Sequence, residues 1–238
     1  MVNENAIRGV ILLGMLACAV IGYLLGSVNT AIIVTRLFKQ KADIRNYGSG
    51  NAGMTNVLRS VGKLPALLTF LGDFLKNVCA VLAGWLVMYL ILHYALEGGD
   101  GPEVIQAGKY IAGVFCVIGH IFPLYYGFRG GKGVATPAAM ILIVDWRVFL
   151  LVIATFLITF IWKRIISLAS ILCAAAYPVY TFLIIYFFDY RSDGCSLGYL
   201  LFITGVSLFL GLLVLIKHRS NIGRLRRGEE KPVAFGKK

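Results

Sequence analysis

Long stretches of this chain are apolar at every position of the helical repeat. Residues 10–33, 78–92 and 171–188 show this most clearly. A surface helix would have one apolar stripe, whereas about 20 residues that are apolar all round suit a lipid bilayer. The pattern predicts an all-α fold, a polytopic integral membrane helical bundle that forms one domain over residues 1–238. The predicted spans are 7–35, 64–94, 104–126, 134–145, 148–162, 166–188 and 197–216.

The fourth predicted span, 134–145, is short for a membrane crossing, which needs about 20 helical residues. We expect its helix to begin inside the glycine-rich loop that precedes it and to be covered by neighbouring helices. Seven crossings are therefore predicted. Five crossings would leave both termini on the same sides of the membrane, so the number stays open between seven and five.

Composition and charge orient the chain in the membrane. The chain has 238 residues, of which 59% are hydrophobic, and a formal net charge of +12. This apolarity excludes a water-soluble domain. The charge does not indicate a nucleic-acid partner, because Lys and Arg collect on alternate loops, as they do on the cytoplasmic side of membrane proteins. The N-terminus is predicted outside and the C-terminus in the cytoplasm, which requires an odd number of crossings.

The first predicted cytoplasmic loop, 43–59, has the sequence DIRNYGSGNAGMTNVLR. Glycines permit tight turns, hydroxyl groups donate to phosphate oxygens, and a guanidinium can bind two such oxygens at once. The loop is therefore a candidate phosphate site, and a well-capped interfacial loop is the alternative. Its candidate residues are Ser49, Asn51, Thr55, Asn56 and Arg59.

The second loop lies in 119–136, GHIFPLYYGFRGGKGVAT. Its glycines are expected to leave backbone amides bare beside Lys132, an arrangement that binds phosphate. The first glycine of GxxxxGK[ST] is missing, so nucleotide hydrolysis is not expected. His120 is a further candidate, with a hydrogen-bonded structural role as the alternative, and Arg129 is expected to be a membrane anchor. The candidate residues of this loop are His120, Gly130, Gly131, Lys132 and Gly133.

The third cluster follows the last span, in KHRSNIGRLRRGEE, 217–230. His218 and Asn221 are three residues apart, which places them on one face of a continuing helix. Ser167 and Ser170 have the same spacing after the fifth span, although serines in membrane helices also bond to their own backbone.

Two ionisable residues, Asp73 and Lys76, interrupt the second span in the sequence GDFLKN. Ionisable groups at membrane depth are costly and usually paired or functional. Their three-residue spacing predicts a mutual ion pair with a structural role.

Together these segments resemble the bacterial acyl-phosphate:glycerol-3-phosphate acyltransferase (PlsY) family. The resemblance covers nearly the whole chain, through YLLGSVNTA, GSGNAGMTNVLR, GDFLKN, GHIFPLYYGFRGGKGVAT and HRSNIGRLRRGEE. It implies transfer of a fatty acyl group from acyl phosphate to the 1-hydroxyl of sn-glycerol 3-phosphate, giving lysophosphatidic acid and phosphate. This is the first acylation step of phospholipid biosynthesis. The resemblance also implies seven helices in the bacterial cytoplasmic (inner) membrane, with the active site facing the cytoplasm.

The resemblance implies roles for individual residues as well. The second loop is expected to serve glycerol 3-phosphate, and Glu229 is expected to be structural. The chain departs from the family pattern at Met54, where a small residue is expected, and at Asn29, where proline is common. The residues that match the motifs are Ser49, Asn51, Asn56 and Arg59, then Gly130, Gly131, Lys132 and Gly133, and finally His218 and Asn221.

Both of these substrates carry phosphate, so the protein must hold two anions close together and stabilise an oxyanion. Arg59, Lys132 and His218 supply positive charge, and no metal or other cofactor is expected, because the cytoplasmic loops lack paired carboxylates. Direct attack by the hydroxyl is simpler than an acyl-serine intermediate. The base stays open among His218, His120 and a substrate phosphate. We predict catalytic roles for Ser49, Arg59, Lys132, His218 and Asn221, and substrate binding by Asn51, Thr55, Asn56, His120, Gly130, Gly131, Gly133, Ser167 and Ser170.

Three other classes of protein fit the sequence less well. A transporter of a phosphorylated metabolite would place its polar residues near the midplane and usually has two related halves. A lipid phosphotransferase would need clustered aspartates for a metal. A membrane scaffold would leave the density of Gly, Ser and Asn unexplained. The sequence leaves the acyl-chain preference and the oligomeric state open, including a monomer.

Overall fold

The computed structural model of the chain describes residues 4–95, 101–192 and 194–232. Within these ranges every regular element is helical, which confirms the predicted all-α fold. The α-helices are α1 (Glu4–Ser27), α2 (Thr30–Phe38), α3 (Met54–Ser60), α4 (Lys63–Leu90), α5 (Pro102–Ile121), α6 (Ala135–Val144), α7 (Trp146–Lys163), α8 (Ile166–Phe188), α9 (Leu197–Lys217) and α10 (Arg219–Arg226).

Six helical segments of the described chain are long and apolar enough to cross a membrane. They correspond to six of the seven predicted spans. The remaining one, the fourth predicted span over 134–145, is α6, whose ten residues extend about 15 Å, half the thickness of a hydrocarbon core. The six segments are Glu4–Phe38, Lys63–Tyr94, Pro102–Tyr126, Trp146–Lys163, Ile166–Ser192 and Leu197–Lys217.

The first span is not one unbroken helix, as the sequence predicted, but two helices that meet at residues 28–29. The side chain of Asn29 accepts a hydrogen bond from the amide of Ile32 at 3.1 Å. It thereby caps α2, because a helix leaves its first amides without partners. Asn29 is fully buried, and this cap explains what an asparagine does at this position.

The described residues form two compact units, one within Met1–Val144 and the other within Asp145–Lys238. In the first unit α5 packs against α1, α4 and α6. Helices α1 and α5 approach so closely that a methyl group on Gly26 would overlap the carbonyl of Cys116. Small residues allow such contacts between membrane helices.

Helix α6 lies within this first unit, covered by α4 and α5 as predicted. The Asn77 side chain of α4 donates to the carbonyls of Gly113 at 3.3 Å and Thr136 at 2.9 Å. The first turn of α6 therefore lies at the depth of Gly113, eight residues before the end of α5. That distance is about 12 Å along the helix axis.

In the second unit α8 packs against both α7 and α9. Asp145 caps α7, and Arg147 joins this carboxylate at 2.8 Å to that of Asp189 at 2.7 Å, so the start of α7 is fastened to the end of α8. The short helix α10 continues from α9 after His218. One domain over 1–238 stays a prediction.

Candidate functional site

The buried side chain of Asn56 organises the first loop. Its Oδ1 accepts a hydrogen bond from the amide of Ser49 at 3.0 Å. Its Nδ2 faces the carbonyls of Tyr47 at 2.9 Å, Asn51 at 3.1 Å and Ile44 at 3.2 Å. Asn56 therefore supports the loop backbone, and its contact with a substrate stays a prediction.

The other candidates of this loop lie nearer its surface. Ser49 and Arg59 are exposed, the first between two glycines of positive φ and the second in the last turn of α3. Asn51 and Thr55 are half-buried. A hydroxyl and a guanidinium that are both accessible can reach a phosphate from solvent.

In the second loop the amides of Gly130 and Gly131 are not bare, contrary to the prediction. Gly130 donates to the carbonyl of Ile121 at 3.2 Å, and Gly131 donates to that of His120 at 3.1 Å. These carbonyls end α5 and would otherwise lack intrahelical partners. The two glycines therefore fold the loop back along the end of α5, and half-buried Lys132 follows directly.

Gly131 lies where the two loops meet. A methyl group at this position would overlap the Nε2 and Cε1 atoms of His120 and would approach the carbonyl of Ala52 in the first loop to 2.9 Å. Only a residue without a Cβ fits there. Lys132 is thus anchored next to a contact between the second loop, the end of α5 and the first loop. Gly133 is buried with φ +69°, one residue further.

Arg45 also joins these two loops, and it was not among the residues predicted for the site. Its guanidinium contacts Asp43 at 2.7 Å and donates to the carbonyls of Tyr126 at 2.7 Å and Arg129 at 3.4 Å. The hydrogen bond from Arg45 lowers the pKa of the Asp43 carboxyl. The sequence signal was an arginine two residues after an aspartate, but nothing in the sequence shows that the partners are backbone carbonyls.

The predicted ion pair of Asp73 and Lys76 is confirmed, with 2.8 Å between the carboxylate and the ammonium. His120 belongs to the same group, which its position in the sequence does not reveal. Its Nδ1 lies 3.1 Å from the Lys76 ammonium and 3.4 Å from Asp73. The pair therefore lies directly behind the histidine that packs against the glycine loop.

The candidates of the tail belong to the second unit. His218 and Asn221 are both buried, at 2% and 5% exposure. Nδ1 of His218 lies 2.8 Å from the carbonyl of Val214. Since a carbonyl only accepts, this ring nitrogen carries a proton, and in the neutral ring Nε2 is then the acceptor.

Glu230 fastens the tail onto α8. Its carboxylate accepts hydrogen bonds from Ser167 at 2.7 Å, Asn221 at 2.8 Å and Arg224. Burial raises the pKa of Glu230, but the bonds from Arg224, Ser167 and Asn221 outweigh it, so the net pKa lies below the ordinary value. Glu230 therefore has a structural role in attaching the tail to α8. The resemblance implied such a role for Glu229.

Glu229, Ser167 and Ser170 lie near the Glu230 carboxylate in the chain or in the fold, and each has a defined partner. Glu229 is exposed and pairs with Arg227 at 2.8 Å. The Ser170 hydroxyl donates to the carbonyl of Ile166 at 2.9 Å, so it bonds to its own helix, while the Ser167 hydroxyl bonds to Glu230.

No group of three or more His, Cys, Asp or Glu side chains that could hold a metal occurs in the described part of the chain. Independence from metals stays a prediction.

The chain is therefore an integral membrane helical protein. In its first unit a lysine in a glycine loop adjoins a loop with an exposed serine and arginine, and such groups can bind an anion. Comparison with known proteins narrows this class. The family model described as glycerol-3-phosphate acyltransferase matches residues 16–228. The chain belongs to this family, the PlsY family.

Similar proteins from several bacteria have the name glycerol-3-phosphate acyltransferase. One from Pelodictyon phaeoclathratiforme is 37% identical, with 95% of this chain and all of that protein covered. One from Paraburkholderia phytofirmans is 35% identical over 94% of this chain and 92% of that protein. The chain is also similar to a crystal structure of PlsY, an integral membrane glycerol 3-phosphate acyltransferase, in its glycerol 3-phosphate form. Its TM-score is 0.67 and its identity 32%, over 92% of this chain and 96% of that one.

Proposed function

We propose that this protein transfers a fatty acyl group from acyl phosphate to the 1-hydroxyl of sn-glycerol 3-phosphate. The products are 1-acyl-sn-glycerol 3-phosphate and inorganic phosphate. The observation that supports this most is Lys132, held in a glycine loop that packs on the loop of Ser49 and Arg59. Family membership supports acylation of glycerol 3-phosphate, and the two cationic loops suit a donor that is itself a phosphate.

In the proposed reaction the hydroxyl oxygen attacks the acyl carbon, and the bond between that carbon and the phosphate oxygen breaks. Phosphate leaves with the electron pair, and the hydroxyl proton passes to a base. An acyl phosphate is a mixed anhydride with a good leaving group, so the protein mainly needs to hold two anions together and to stabilise the oxyanion. Lys132 and Arg59 would supply this charge, with Ser49, His218 and Asn221 as further proposed catalytic residues.

The test is an assay of the purified protein in detergent with labelled glycerol 3-phosphate. We expect labelled lysophosphatidic acid when acyl phosphate is the donor and none when acyl-CoA replaces it. Release of one phosphate for each acyl group transferred should accompany the product. Transfer from the thioester alone would refute the proposed donor, and no transfer from either donor would refute the proposed activity.

We further propose seven crossings, with the N-terminus outside and the active site facing the cytoplasm of a bacterial inner membrane. The count of seven crossings is supported by how far into the bundle α6 begins. Residues 122–134 return about 12 Å into the bundle, to the level of Gly113, and α6 adds about 15 Å. The sum is close to the thickness of a hydrocarbon core, about 30 Å.

Labelling of single cysteines in spheroplasts tests this topology. A cysteine in place of Ser196, before α9, should react with a membrane-impermeant maleimide added outside. A cysteine in place of Ser220, after α9, should react only once the membrane is opened. The reverse pattern would contradict the proposed orientation.

A further inference from the structure

A buried polar group lies behind the glycine loop in the first unit. It consists of Asp73 and Lys76 of α4, His120 of α5, and Thr30, whose hydroxyl donates to Asp73 at 3.2 Å. The Asp73, Lys76 and His120 side chains are each less than 10% exposed. Buried polar groups of this kind have defined hydrogen-bond partners, so the positions of their protons follow from those partners.

The Lys76 ammonium decides the tautomer of His120. An ammonium has three N–H donors and no acceptor. Its three neighbours are the carbonyl of Val28 at 2.9 Å, Oδ1 of Asp73 at 2.8 Å and Nδ1 of His120 at 3.1 Å. Each neighbour must accept, so Nδ1 of His120 offers its lone pair and the ring proton lies on Nε2. The contact between Nδ1 and Asp73 is longer, at 3.4 Å.

The other end of this ring faces the glycine loop. Nε2 and Cε1 of His120 occupy the space that a Cβ on Gly131, the residue before Lys132, would need. A proton on Nε2 therefore lies on the side of the ring that faces the loop. In His218 the proton lies on the other ring nitrogen, because its Nδ1 faces a carbonyl, which can only accept. The two histidines thus have opposite tautomers, and only that of His218 leaves an acceptor at Nε2.

We infer that Asp73 and Lys76 are positioning residues that hold His120 as an Nε2–H donor, so that His120 positions the loop of Lys132 and is not the base of the reaction. The inference rests on the proposed function for its kinetic consequence and on geometry alone for the tautomer. It predicts that damage to the group weakens the binding of whichever phosphate Lys132 holds. Proton transfer itself should be changed little.

The tautomer is measured directly by ¹⁵N NMR on the full-length protein labelled at histidine, in lipid bilayers at neutral pH. We expect a protonated Nε2 and an unprotonated Nδ1 for His120, assigned by the signals that disappear in His120→Gln. In Lys76→Met the donor to Nδ1 is gone, and Asp73 should draw the proton to Nδ1. A protonated Nδ1 in the wild-type His120 would overturn the inference. So would signals that do not change in Lys76→Met.

Two substitutions of His120 provide the kinetic test. Glutamine places an amide N–H near the position of Nε2, whereas asparagine places its amide near that of Nδ1. If His120 is a donor to the loop, His120→Asn should raise the KM for one phosphorylated substrate about tenfold more than His120→Gln, with kcat changed less than about threefold. Separate titrations of glycerol 3-phosphate and acyl phosphate identify the substrate that Lys132 holds.

A general base would behave differently, because neither amide titrates. Both variants would then lose kcat equally, by about 10²–10⁴-fold, and this result would overturn the inference. Wild-type protein that acylates nothing would refute the proposed function but would leave the NMR result valid. The two failures are therefore distinguishable.

Discussion

Lys132→Met is expected to lower acyl transfer by about 10²–10³-fold, the usual cost of removing one group that stabilises developing charge. Methionine keeps most of the aliphatic volume and removes only the ammonium, so the loop should keep its fold. The loop's hydrogen bonds from Gly130 and Gly131 to the end of α5 involve backbone atoms and remain available. Turnover is measured with acyl phosphate and glycerol 3-phosphate, and folding is checked by thermal unfolding in detergent.

Arg129→Met is the matched control for this variant. Arg129 is three residues earlier in the same loop, it is exposed, and only its backbone carbonyl contacts Arg45. The Arg129→Met variant should change turnover less than about threefold, since an exposed charge in water interacts weakly. Equal losses in both variants would mean that the loop acts through its total charge and that Lys132 has no specific role.

Arg59→Ala should cost about 10²-fold in kcat/KM, because a guanidinium that binds two phosphate oxygens at once is lost. Arg59 is exposed in the last turn of α3, so the loss of stability should stay below about 1 kcal/mol. The kcat/KM of Arg59→Lys should lie between those of the wild type and the alanine variant. Lysine keeps the charge but cannot bind two phosphate oxygens at once through a planar guanidinium. Full kinetics with each substrate varied in turn would show which phosphate Arg59 holds.

Lys63→Ala controls for the removal of a nearby cation. Lys63 is exposed four residues later, at the start of α4, and the proposed site does not include it. Its variant should stay within about threefold of the wild type at low ionic strength. If Arg59→Ala also stays within that range, Arg59 is not a phosphate ligand in this protein.

The long spans were predictable because their signal is local. A run of apolar residues needs no information about its neighbours, and six predicted spans coincide with long helices. The shortness of α6 and its cover by neighbouring helices were also predicted from the sequence, whereas the division at Asn29 depends on a tertiary feature. Asn29 is fully buried and caps a new helix, and α6 is covered by α4 and α5.

The candidate site was predictable by residue type but not by role. The sequence marks Asn56 as a polar residue in a glycine-rich loop, and either a phosphate or the loop backbone would suit its amide. Only the positions of four backbone groups assign it to the loop. Glu229 and Glu230 are likewise adjacent and chemically identical, and the fold alone buries one and exposes the other.

Arg45 joins the two loops of the first unit through carbonyl oxygens at positions 126 and 129. Every amino acid has such an oxygen, so the contact places no constraint on the side chains at these two positions. The attachment to Arg45 therefore persists through side-chain changes at these positions, although Tyr126 also packs against a buried apolar cluster. Evolutionary covariation should accordingly link positions 43 and 45 to each other. It should not link either of them to positions 126 and 129, which Arg45 contacts through backbone oxygens.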